Sequence, residues 1–176
     1  MTPRPVMLTD DEARVLREVW PLTLGHIIAN PADGIQSLRN SCAHSGGGGW
    51  QRWIQGNRIH IEHHEWLPDV LADTCPDWCN DPEFWHTPDG KHINRWRRGD
   101  VLFEGSITLP RVQRWAESLP AELRARALVA WRTWPENTRD LDELARIVRE
   151  ALDAHCGAPA ELTHYAGQIV GQEALW

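Results

Sequence analysis

The chain has 176 residues, 41% of them hydrophobic and 24% charged, enough to bury a core and too apolar for a disordered chain. Its formal charge of −7 disfavours a general polyanion binder, although a local basic patch is compatible with an acidic total. No run of about 18 apolar residues is present, so no membrane span is expected, and the opening MTPRPVMLTDDE lacks the apolar stretch of a secretory signal, so a cytoplasmic protein is expected. Eleven Trp against one Tyr and two Phe invert ordinary aromatic usage.

The first helix is announced by Thr9-Asp10-Asp11-Glu12, a capping box in which hydroxyl and carboxylate satisfy reciprocal backbone amides, with Leu8 as its staple. Val15, Leu16, Val19 and Trp20 follow at helical spacing, and Pro21 is expected to end the element. Leu22 to Ala29 reads as a second helix and Pro31 to Asn40 as a third, with Asn30 to Gly34 as the turn between them. A helix-turn-helix reader is disfavoured because its second helix would carry only Arg39; a plain helical packing unit is expected. Ser45 to Gly49, SGGGG, reads as a loop or linker. It is not a phosphate loop, since Trp50 and Gln51 stand where Lys and Ser or Thr are needed. Arg58 to His63 then alternates as a half-buried strand, with Ile59 and Ile61 on one face and His60 and Glu62 on the other.

The most specific chemistry lies between Thr74 and Arg98. Cys75, Cys79, His86 and His92 are spaced C-x3-C-x6-H-x5-H among Pro82, Pro88 and Asp89-Gly90. Two thiolates on one turn and two imidazoles on a second supply the four N and S ligands that structural zinc requires, in a spacing closer to a zinc knuckle than to a two-Cys, two-His finger. A segment this poor in apolar residues gains from metal the folding free energy that packing does not provide. Ordinary buried thiols and solvated imidazoles are the alternative, and Cys42, His44, His60, His63 or His64 are alternative ligands in space. Cys156 reads as a small buried thiol near a helix end.

Thr74-Cys75-Pro76-Asp77-Trp78-Cys79 followed by spaced His resembles the Cys-Pro-x-Trp-Cys signature of small actinobacterial and actinobacteriophage proteins, many of unknown function. The similarity covers about Thr74 to Pro120, where those proteins continue with a strand pair and an amphipathic helix; Val101-Leu102-Phe103 and Arg111 to Leu119 take those places here. The resemblance implies metal binding and a phage or mobile-element origin, and no activity. A zinc deaminase would need H-x-E followed by P-C-x-x-C; His60-Ile61-Glu62 with Cys75 and Cys79 departs from it in the Cys spacing and in the place of Pro76. A zinc-dependent nucleic-acid-modifying enzyme therefore stands as the lesser alternative.

Of the quarters of the chain, only residues 91 to 134 are net positive, with nine basic against four acidic residues, whereas 51 to 90 carry two against eight. Lys91, Arg95, Trp96, Arg97 and Arg98 interleave cations with an indole, a pattern suited to neutralising phosphates while stacking on a base. A solvated loop, or Arg side chains paired with the acids of 51 to 90, is the alternative. The C-terminal third reads as helices: one opened by Ser118 and Pro120 with Leu123, Ala127, Leu128, Trp131 and Trp134 along a stripe, one from Asp140 to about Gly157, and a weaker one over Glu161 to Leu175.

These readings make an α+β, helix-rich protein: an N-terminal helical segment (1–45), short strands with the zinc motif (50–107) and a C-terminal helical segment (108–176). The expected role is a zinc-stabilised, non-catalytic regulator contacting nucleic acid, with a protein-binding inhibitor or adaptor as the other class.

Overall fold

The computed structural model describes residues 6–40, 44–47, 49–72 and 85–156. In chain order the elements are α1 (Asp10–Arg17), α2 (Pro21–Ala29), α3 (Pro31–Asn40), β1 (His44–Gly47), β2 (Trp50–Gln55), β3 (Arg58–Ala72), β4 (His92–Thr108), α4 (Leu109–Ser118), α5 (Ala121–Thr133) and α6 (Arg139–Cys156). The architecture is helix-rich α+β, with the strands in the order β1-β2-β3-β4. The chain divides into two compact units: Met1–Ser45, Arg52–Ile61 and Gly105–Trp176 in the first, and Gly46–Gln51 with Glu62–Glu104 in the second.

In the first unit the capping box forms as expected, Thr9 Oγ1 accepting from the Glu12 amide at 3.1 Å and Glu12 from the Thr9 amide at 2.9 Å, over a buried Leu8. Arg111 then ties α4 to it, donating to both Glu12 carboxylate oxygens at 3.1 Å and to the Met7 carbonyl at 2.7 Å. Helix α1 stops at Arg17, before Val19 and Trp20. Pro21 and Pro31 open helices instead of ending or separating them, because a first turn has no use for the amide that proline lacks. The expected turn at Asn30 to Gly34 is therefore the first turn of α3.

Helix α2, PLTLGHIIA, is buried without interruption from Leu24 to Ala29. A helix apolar on every side belongs in the middle of a core, and α2 packs against α3, α4, α5 and α6. Two glycines permit these contacts: a Cβ on Gly25 would meet Leu144 Cδ2 at 2.9 Å, and one on Gly34 would stand 2.6 Å from Ile27 Cα. Helices α5 and α6 pack on one another, and α6 reaches α1 through Arg17, whose Nη2 donates to Asp153 at 2.9 Å. Ser118 closes α4 instead of opening α5, whose cap is Pro120. The stripe on α5 is buried at Leu123, Ala127 and Ala130, with Leu128, Trp131 and Trp134 half-buried.

Two stretches expected to be irregular are strands. Of the SGGGG run, Ser45 to Gly47 lie in β1, where the ladder to β2 is made by backbone and asks nothing of the side chains. The basic segment after Lys91 opens β4, whose pairing to β3 divides Arg95 and Arg97 from Trp96 and Arg98 at the strand period. A two-residue turn with Gly56 at φ +60° joins β2 to β3. Cys42, Thr74 to Cys79, and everything from Gly157 onward, including the last expected helix, lie outside the described residues.

Candidate metal site and binding ribbon

The candidate site belongs to the second unit, where residues of β3 and β4 pair as a long antiparallel ribbon: Asp69 meets Arg95 and Arg97, Glu65 and Leu67 lie against Gly99, so numbers rise on one strand as they fall on the other. The ribbon's approach to His92 is a tight turn. Gly90 sits at φ +86° and donates to the Thr87 carbonyl at 2.9 Å, the Thr87 amide donates to the Lys91 carbonyl at 2.9 Å, and the Lys91 amide donates to Thr87 Oγ1 at 3.0 Å. A hydrogen bond from Thr87 holds the Asp89 carboxyl below the usual carboxylate range, and Lys91 Nζ lies 3.6 Å from it.

This turn brings two of the four expected zinc ligands together. His86 and His92 are joined by an antiparallel bridge, with ring centroids 5.5 Å apart and planes inclined by 67°. His92 is buried and His86 half-buried. Two imidazoles bound to one tetrahedral zinc at about 2.0–2.1 Å hold their ring centres roughly 5 Å apart, a spacing with which the observed 5.5 Å is compatible. Cys75 and Cys79 lie outside the described residues, and among the described residues no group of three or more His, Cys, Asp and Glu is arranged to hold an ion. Of the alternative ligands, His63 stacks on Trp50 at 4.0 Å and 3°, and His64 Nε2 shares a hydrogen bond with Glu62 at 3.1 Å. In the first unit His60 stacks on Trp53 at 5.2 Å and 11°. The side chains of Cys42 and His44 lie outside the described residues.

The basic segment is split by the strand period. Arg95 and Arg97 project to one face, where Arg95 Nε donates to Asp69 Oδ2 at 2.6 Å and Arg97 Nε to Asp69 Oδ1 at 3.1 Å. The hydrogen bond from Arg95 leads in holding the Asp69 carboxyl below its usual range. Trp96 and Arg98 project to the other face, where Trp96 lies parallel to Trp66, at 6.2 Å and 7°. Arg98 is exposed and makes no ion pair among the described residues. The same face carries exposed Trp66, Val70 and Leu102. The Asp69 pairs are the alternative offered by the sequence, in which Arg side chains meet acids of the 51 to 90 stretch; Trp66 has no role assigned from sequence.

Comparison with protein-family models, with curated proteins and with solved structures finds no match for the chain. No helix among the described residues is long and apolar enough to cross a membrane.

Proposed function

We propose that the chain is a small zinc-stabilised, non-catalytic binding protein whose contact element is the β3–β4 ribbon, and that its partner is a protein. Zinc held by Cys75, Cys79, His86 and His92 fixes the end of the ribbon at which β4 begins. The observation that carries the metal is the His86–His92 ring geometry. The partner class follows from charge and surface: Asp69 occupies Arg95 and Arg97, the chain is net acidic, and the opposite face presents Trp66, Val70 and Leu102. The resemblance around Cys75-Pro76-Asp77-Trp78-Cys79 is compatible with an inhibitor or adaptor of phage or mobile-element origin.

Metal analysis of untagged protein tests the first half. About one equivalent of zinc is expected, with Cys75→Ser and His92→Ala each losing it and chelation lowering the melting temperature; less than about half an equivalent sinks the metal reading. For the second half, Val70→Asp with Leu102→Asp is expected to abolish capture of a host protein while zinc content and melting temperature stay unchanged.

A nucleic-acid partner is the second reading, favoured by the parallel Trp66–Trp96 pair with Arg98 beside Trp96 on the strand. It requires binding to single-stranded or duplex nucleic acid at low salt, with a salt slope that Arg98→Ala flattens.

A further inference from the structure

Within the second unit β4 has a neighbour on one side, β3, and among the described residues nothing pairs with its other edge. An exposed strand edge is a template for another strand. The part of this edge from Arg97 to Leu102 reads Arg-Arg-Gly-Asp-Val-Leu and is exposed throughout except at the half-buried Gly99. Its charges are ordered, with cations before Gly99 and an anion after it. Arg97 is held by Asp69, but Arg98 and Asp100 make no ion pair among the described residues, and both project to the same face of the strand.

We propose that this edge pairs antiparallel with the same edge of a second copy of the chain, about a two-fold axis at Gly99. In that register Arg98 of each copy lies opposite Asp100 of the other, so one heterogeneous strand supplies two identical ion pairs, as an isologous interface requires. Gly99 faces its own counterpart at the axis, so no side chain of the edge strand stands between the two copies there. Val101, 51% exposed, is covered by the stem of the partner's Arg97. Parallel pairing in register is disfavoured by the same sequence, since it would set Arg98 beside Arg98 and Asp100 beside Asp100. The arrangement closes on two copies and leaves the Trp66 face of each ribbon open, so it goes beyond the binding role above and does not depend on the partner class.

The test is the molar mass of the full chain by sedimentation over the micromolar range. A dimer is expected. Arg98→Glu alone and Asp100→Arg alone each set like charges opposite one another, and each is expected to raise the dimer dissociation constant about tenfold or more. An equimolar mixture of the two variants restores both ion pairs and is expected to form the heterodimer with an affinity near that of the unaltered chain. Both substitutions are at exposed positions and are expected to keep the fold, which the circular dichroism of each checks. A monomeric unaltered chain, a dimer indifferent to both substitutions, a mixture that stays monomeric, or open-ended oligomers would each overturn the proposal.

Discussion

Among the described residues three indole rings lie flat against imidazoles: Trp50 on His63, Trp53 on His60, and, in the helical core, Trp131 on His26 at 3.9 Å and 6°. An aromatic pair of this kind contributes about 0.5–1.5 kcal/mol beyond the area it buries. With Tyr and Phe scarce, Trp supplies that contact, and Trp115 supplies bulk as a fully buried side chain of α4. For these four of the eleven Trp the role is packing, three of them against histidine. Another residue-scale feature is Glu18, buried at 5% exposure with the Arg52 guanidinium 4.0 Å away. Burial pushes its carboxyl up from 4.5 to about 7, against the pull of Arg52 and Arg14. Because the folded state holds the proton more tightly than the unfolded one, nothing is lost below about 4.5, and stability falls as pH rises through about 7. The full loss is roughly 3 kcal/mol. Glu18→Gln is expected to flatten the decline in melting temperature between pH 5 and 8; parallel profiles for the two proteins would refute that account.

At the scale of elements, the α2–α3 contact depends on a missing side chain. Gly34→Ala would place a methyl group against the Ile27 backbone, which has no rotamer with which to yield. A loss of about 1–3 kcal/mol is expected in denaturant unfolding. For the ribbon, Asp69→Asn removes the carboxylate charge shared by Arg95 and Arg97 and leaves one accepting oxygen in place of two. Solvent screens this exposed cluster, so unfolding free energy should barely move. If the ribbon binds nucleic acid, the same substitution releases two cations and should tighten binding while steepening its salt dependence; unchanged affinity argues for a protein partner. These elements also show what could be read from residues alone. The capping box at Thr9 and the alternation of Ile59 and Ile61 were legible because each is a local pattern with one physical solution. The roles of Pro21 and Pro31 were not, since proline both ends a helix and begins one, and only the following residues' packing decides. The glycine run misled for a similar reason: backbone pairing to β2 needs no side chain, so nothing in SGGGG announces it. Arg95, Trp96 and Arg97 read as one patch in a loop and as two faces in a strand, and that difference alone separated the cations from the indole.

For the whole molecule, the described helices form one unit with α2 packed on four of the others, and the proposed metal ligands belong to the other unit. Chelating zinc is therefore expected to unfold the ribbon first and to leave a separate, later transition for the helical core; a single cooperative transition lost entirely on chelation would contradict that order. Helix periodicity made the helical segments visible in sequence, but nothing in it joined residues 21–29 to residues 121–156, because long-range packing leaves no spacing to read. The central position of α2 has a consequence in time. Its partners α5 and α6 lie about a hundred residues further along the chain, and an apolar helix gains little by forming before they exist. Helix α3 can cover one side of α2 as soon as it is made, but the sides that meet α5 and α6 stay open until those helices exist, so completing this core is slow.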